Sequence, residues 1–232
     1  MKLNKIVPWG RNFSEYTKMF LLSDEDLKLK ILSCGDGPAS FNFELNKKYN
    51  GNVVSIDPIY QFGPNEIENR IKITTPIIEK ELTNNKEQFT WKDFQDVKAL
   101  IKVRLSAMKL FLSDFENGKL EQRYINAKLP NLPFADNSFD LVISSHFLFL
   151  YSPKLDFNFH KTSILEMCRV AKKEVRIFPL LNLENIYPEY LSDLIQVLEK
   201  KKFKTQIVNT KYEFQKGAFE MLKIECNKEI NG

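Results

Sequence analysis

Gly35 and Gly37 flank a single acid, Asp36, where a short apolar run gives way to a helical pattern opening at Pro38. Glycines at such a junction let backbone approach a ligand closely, and the helix start that follows presents unpaired N–H groups. Glycine is scarce, at 8 of 232 residues, so the position of this pair is informative. About twenty residues on, Asp57 ends the run Val53-Val54-Ser55-Ile56, where an acid can accept hydrogen bonds from both hydroxyls of a ribose. Farther along, His146 follows the apolar run Leu141-Val142-Ile143 and Ser144-Ser145. A histidine titrating near neutrality can take the proton of a hydroxyl or amine as it attacks. Tyr151 and His160 are secondary candidates for the same neighbourhood, Tyr151 as a wall of an acceptor pocket.

These residues need elements to hold them. The stretch Lys30 to Phe41 reads as strand, tight loop and helix, and the helix stops at Asn50-Gly51. Val53 to Ile56 is a second buried strand, ended by Pro58, so the first sixty residues contain a βαβ unit. From Pro64 to about Asn117 apolar residues recur at helical spacing, among them Phe94, Leu105, Met108 and Phe111. A strand is expected at about Gln122 to Asn126, an extended loop from Leu129 to Phe134, and a strong strand from Phe139 to Ser144. Helix from Asn158 to Ala171, strand from Glu174 to Phe178, helix from Pro188 to Lys201 and two closing strands, Thr205 to Val208 and Phe219 to Glu225, complete the chain. Such alternation predicts an α/β fold with a mainly parallel sheet, whose ligands bind outside the carboxyl ends of the strands.

The passage Asn126-Ala127-Lys128-Leu129-Pro130-Asn131-Leu132-Pro133-Phe134-Ala135-Asp136-Asn137-Ser138-Phe139-Asp140-Leu141-Val142 resembles the segment that joins the third strand to the fourth in class I S-adenosylmethionine-dependent methyltransferases. Pro8-Trp9-Gly10-Arg11, together with Ser33 to Phe41, looks like an uncharacterised bacterial branch of that superfamily. The resemblance implies a Rossmann-like, mainly parallel seven-stranded sheet with helices on both faces and a helical insertion between strands 2 and 3. It implies one domain over residues 1–232, with an amino-terminal helical cap at 1–28 and the insertion at 64–117. The implied cofactor is S-adenosylmethionine. Its expected contacts are Ser33, Cys34, Gly35, Asp36 and Gly37 in the glycine loop, Asp57 at the ribose, Pro58 and Ile59 beside the adenine, Asn126, Ala127, Lys128 and Leu129 at the adenine edge, and Ser144 after the fourth strand. His146 and Tyr151 are the expected catalytic residues. The chain departs from the family pattern at Ser33 and Ala127, where acids are usual, and at Ala39, where a third glycine is usual. Asp36 is the candidate to supply the missing charge.

Arg11 precedes the first strand among Trp9, Phe13, Tyr16 and Phe20. An arginine there can pair bidentately with the methionine carboxylate of the cofactor, while the aromatics pack. The expected reaction is methyl transfer to an oxygen or nitrogen of a small-molecule acceptor. The rivals are a nicotinamide-dependent oxidoreductase on the same βαβ unit and a non-catalytic S-adenosylmethionine-binding module.

Composition excludes other classes. A formal net charge of +4 over the whole length does not indicate a nucleic-acid partner, and Lys200-Lys201-Lys202 reads as a solvated helix end. No apolar run approaches the roughly 20 residues of a membrane span, and the amino terminus carries no secretory pattern. Three cysteines at wide spacing, Cys34, Cys168 and Cys226, suit reduced, buried thiols and neither a disulfide framework nor a metal knuckle. A cytoplasmic protein without a metal site is the expectation.

Overall fold

Ile31, Leu32, Ser33 and Cys34 are all buried in β1 (Lys30–Cys34), because parallel neighbours cover both edges and helices cover both faces. The computed structural model describes residues 6–226; residues 1–5 of the expected amino-terminal cap, and 227–232, lie outside the described residues. β1 pairs in parallel with β2 (Asn52–Ile56), Lys30 opposite Asn52 and Cys34 opposite Ile56, and on its other edge with β4 (Phe139–Ser145), Ile31 opposite Leu141. The sheet has seven strands in the order β3-β2-β1-β4-β5-β7-β6. β3 (Tyr124–Ile125) and β5 (Ala171–Phe178) extend the parallel set, whereas β7 (Glu220–Glu225) runs antiparallel to both β5 and β6 (Lys204–Asn209). The sheet is therefore mixed, five parallel strands closed by an antiparallel pair.

Because side chains alternate along a strand, β1 and β4 send Ile31, Leu141 and Ile143 to one face and Leu32, Cys34 and Val142 to the other. On the second face pack α5 (Phe157–Val170) and α6 (Leu191–Lys200), through Ile164, Met167, Leu194 and Leu198. On the first lie α1 (Phe13–Phe20), α2 (Phe41–Tyr49) and parts of α3 (Pro64–Asn84) and α4 (Val97–Leu120). α1 begins with a capping box: the Asn12 side chain accepts from the Glu15 amide and the Glu15 carboxylate accepts from that of Asn12. α4 is capped by Asp96, which accepts from the Ala99 amide at 2.7 Å.

The helical stretch expected between the second and third strands is two helices, α3 and α4, separated by residues 85–96. Met108 and Phe111 are buried with Tyr60, Phe115 and Tyr124 at the β3 edge of the sheet, while Leu105 is exposed, so its place in the periodic pattern does not make it core. β3 is only two residues long, shorter than the expected strand. β5 starts at Ala171 and not at Glu174, because Ala171 pairs with Phe139 before the register shift that brings Leu141 opposite Glu174. Among the described residues no helix is long and apolar enough to cross a membrane.

Candidate functional site

The chain turns to opposite sides of β1 to reach β2 and β4, and a cleft of about 440 Å³ opens at the carboxyl ends of these strands. One wall is the loop after β1. Gly35 and Gly37 take φ of +66° and +54°, and a Cβ on Gly35 would press to 2.8 Å of the Phe147 ring; side chains are therefore excluded from this wall. Gly37 N–H donates to Asp57 Oδ2 at 3.0 Å and Ile59 N–H to Asp57 Oδ1 at 2.8 Å. Burial pushes the Asp57 carboxyl up to about 6 against the opposing pull of these two amides. Each oxygen has taken one donor, and a carboxylate has capacity for about four, so Asp57 can still accept a pair of hydroxyls.

Asp36 also borders the cleft, but its oxygens accept from the hydroxyls of Tyr16, Ser33 (2.5 Å) and Ser55 (2.6 Å). It ties α1, the loop and β2 together beneath the cleft, and burial raises its pKa. This arrangement does not make it the free charge that the sequence suggested.

The amino-terminal segment forms the roof. Gly10 lies so close to the loop after β1 that a Cβ there would meet the Pro38 carbonyl oxygen at 2.0 Å, and the Arg11 carbonyl accepts from the Ser40 amide. Arg11 thereby enters the cleft from above. Its Nη1 lies 3.4 Å from the Trp9 carbonyl, and its Nε is buried with no acceptor among the described residues.

The other expected residues divide. Pro58, Ile59, Ala127, Lys128 and Leu129 border the cleft. Asn126 faces an adjoining open depression shared with Pro58 and Lys128. Ser33, Cys34 and Ser144 are fully buried and do not line it; Ser144 Oγ donates to the Cys34 carbonyl at 3.1 Å, and the neighbouring Ser145 lines the cleft instead. His160 does not line it; it is buried behind Phe159, stacked on Phe149 with Nδ1 near the Asp156 carbonyl and the Tyr190 hydroxyl.

A second, smaller cavity of about 80 Å³ adjoins the cleft, and Val7, Trp9, Arg11, His146 and Tyr151 border both. His146 has φ of +51°, its Nδ1 lies 2.9 Å from Ser145 Oγ, and its ring meets Phe178 and Tyr212 edge-on. Burial, then the charges of Arg11 and Arg104, hold its pKa well below the usual value, so it is neutral at physiological pH. Tyr151 keeps its proton, since burial raises its pKa, and its hydroxyl accepts from the Val7 amide at 3.4 Å.

Sequence reasoning missed the far wall of this cavity. Arg104 of α4 pairs there with Glu15 of α1, and Tyr212 donates to Glu15 at 2.8 Å. The signal was present: Arg104 falls on the buried stripe Leu100, Arg104, Met108, Phe111, where a charge needs a partner. Among the described residues no cluster of three or more His, Cys, Asp or Glu could hold a metal, and the three cysteines are buried thiols.

Residues 93–178 match the family model of a methyltransferase domain. An uncharacterised protein of Methanocaldococcus jannaschii is 37% identical over 225 residues, 97% of this chain and 98% of that protein. That relative is archaeal, so the bacterial placement expected from the sequence is not confirmed. The fold is similar to a proposed S-adenosylmethionine-dependent methyltransferase of Methanococcus maripaludis (TM-score 0.48, 12% identity, 93% of this chain and 84% of that one). It is also similar to a methyltransferase of Aquifex aeolicus (TM-score 0.44, 15% identity, 91% of each). The chain belongs to one family with the Methanocaldococcus protein, and residues 93–178 mark it as an enzyme with a methyltransferase domain.

Proposed function

We propose that this enzyme transfers a methyl group to an oxygen or nitrogen of a small acceptor, with the cofactor in the large cleft and the acceptor in the smaller cavity beside it. Asp57 is the observation that carries the reading: pinned by two amides opposite the glycine loop, it keeps acceptor capacity for the two ribose hydroxyls. When bound, S-adenosylmethionine supplies a methyl group on a positively charged sulfur, already an electrophile. Pro58, Ile59 and the 126–129 stretch then border the adenine, with Asn126 at its outer edge. The Gly35–Gly37 backbone borders the methionine portion, while Ser33, Cys34 and Ser144 support the loop and strand ends from below. Arg11, with an unpartnered Nε in the roof, faces the methionine carboxylate.

The two cavities meet at His146 and Tyr151, which hold the acceptor. With S-adenosylmethionine bound, the acceptor's lone pair would be turned toward the methyl group, which the cofactor would supply with its sulfur as the leaving group. His146 receives the acceptor's proton at Nε2, in the tautomer whose Nδ1–H donates to Ser145 Oγ. Alignment at this junction supplies most of the acceleration. We read residues 1–232 as one domain, with the α1 cap at 1–28 and the α3–α4 pair at 64–117 as its elaborations, and the buried thiols support a cytoplasmic setting.

Isothermal titration with S-adenosylhomocysteine and with NAD tests the cofactor assignment. Binding of the first alone is expected. Binding of NAD alone would replace methyl transfer with hydride transfer on the same βαβ unit.

A further inference from the structure

The smaller cavity holds more positive charge than its own wall neutralises. Arg11 and Arg104 both line it, while the nearby carboxylate, Glu15, already accepts from Arg104, Tyr212 and the Asn12 amide. The remaining titratable groups add no negative charge: burial holds the proton on Tyr151, burial and the Glu15 charge raise Tyr212 to about 12, and His146 is neutral. Arg11 Nε and Arg104 Nε are buried without an acceptor among the described residues. Folded proteins leave few buried polar atoms unpaired, and a charged donor is the most costly to strand. A guanidinium has five N–H donors and no acceptor, so what the two arginines offer the cavity is hydrogen-bond donation, and the surplus charge favours an anionic oxygen.

The other walls are apolar, with Leu100, Phe178, Phe214 and Ala218 among them. At about 80 Å³, against about 10–15 Å³ needed per water, the cavity has room for roughly five to eight waters, the bulk of one small ring. A phosphate ester would bring close to two negative charges against a single surplus positive charge in an apolar chamber of this size, whereas a carboxylate brings one and matches the guanidinium fork.

We propose that the methyl acceptor is a small carboxylic acid with an apolar, ring-sized body, its carboxylate seated on Arg104 and one edge of Arg11 and its nucleophilic atom turned toward His146. This rests on the reading of the large cleft as the cofactor site. Arg11 borders both cavities; S-adenosylhomocysteine is a zwitterion that adds no net charge, so the surplus stays at the site, and the edge of Arg11 turned from the methionine carboxylate donates to the acceptor.

The test titrates benzoate, and its uncharged counterpart benzamide, into the protein saturated with S-adenosylhomocysteine. Benzoate is expected to bind roughly tenfold or more tightly than benzamide, the margin of a charge-assisted pair over a neutral hydrogen bond. Leu100→Phe fills the cavity without touching a charge and is expected to weaken benzoate by about tenfold or more while S-adenosylhomocysteine binds as before; Ala218→Leu does the same from another wall should the first variant not fold. Arg104→Lys keeps a cation beside Glu15 but loses the fork, and benzoate affinity should fall. Equal affinity for benzoate and benzamide, no benzoate binding at millimolar concentration, or benzoate binding indifferent to the filled cavity overturns the proposal. Absence of S-adenosylhomocysteine binding overturns the cofactor reading instead, and is measured separately in the same experiment.

Discussion

The amide of Gly37 donates to Oδ2 of Asp57 at 3.0 Å, joining the loop after β1 to the end of β2 across the mouth of the cleft. The two residues with the clearest ligand signature in the sequence thus position each other. The left-handed φ of Gly37 aims its N–H at the carboxylate, and the carboxylate holds the loop open in return. Such an arrangement preorganises a site before any ligand arrives, and its cost is a buried carboxylate.

That cost sets the first prediction. The carboxyl of Asp57 is raised to about 6 by burial, so between the ordinary carboxylate range and pH 6 the folded state binds more protons than the unfolded one. Its contribution to stability is full at low pH and is lost as pH rises through about 6. The stability of the ligand-free parent should therefore fall as pH rises from about 4 to 6.5, and Asp57→Asn should flatten that slope, while its Nδ2, set against one of the two amide donors, lowers stability by roughly 1–3 kcal/mol. The same change should weaken S-adenosylhomocysteine by tenfold or more, about 1.5–3 kcal/mol for a lost charge-assisted pair. Calorimetry and titration on one variant read both effects; a less stable protein with unchanged affinity would remove Asp57 from the ribose.

His146 has the opposite sign. Its folded pKa lies well below the usual value, so below pH 6.5 the unfolded chain takes up a proton that the folded chain refuses. Its stability contribution is full above pH 6.5 and declines on acidification, with a slope approaching about 1.4 kcal/mol per pH unit. Asn tolerates the positive φ at this position and does not titrate. Denaturant unfolding of His146→Asn from pH 5 to 7 should show a shallower acid decline than the parent; parallel curves would mean that His146 is not buried neutral.

Arg11 provides a ligand-resolved prediction. Adenosine lacks the methionine carboxylate, so Arg11→Ala should reduce S-adenosylhomocysteine affinity by about tenfold or more and leave adenosine nearly unchanged. Equal losses for the two ligands in competition titrations would point to a displaced roof in place of a carboxylate contact.

The roof itself depends on Gly10. A methyl group at this position would meet the Pro38 carbonyl oxygen at 2.0 Å, and neither backbone can yield without moving the other. Gly10→Ala should cost about 1–3 kcal/mol and increase hydrogen exchange across Val7 to Asn12, with a loss of S-adenosylhomocysteine affinity as Arg11 moves. A folded variant with parent-like exchange would show that the segment is not locked by this contact.

The βαβ unit, the position of Asp57 at the end of its second strand, and the strand expected from Phe139 to Ser144 were legible in the sequence because each is local: an apolar run, a turn residue and a stop signal lie within a dozen positions. The start of β5 was not, since Ala171 enters the sheet only through its pairing with Phe139, more than thirty residues away. Leu105 fits the helical spacing of its neighbours yet is exposed, because which side of α4 meets the sheet is settled by the docking of the whole helix.

For the site, residue types by themselves determined that the loop after β1 could approach a ligand and that Asp57 could hold a ribose. They could not separate Ser144 from Ser145: a one-residue step along a strand reverses the side chain, and only the packed sheet shows that Ser144 turns to the Cys34 carbonyl while Ser145 meets the cleft. His146 was the first candidate for a base and His160 a secondary one; the tertiary structure places His146 at the junction of two cavities and buries His160 against Phe149. The small cavity belongs wholly to tertiary structure, since its walls come from residues near 7–11, 78–104, 146–151, 178–183 and 212–218, and no local pattern encodes the meeting of segments so far apart in the chain.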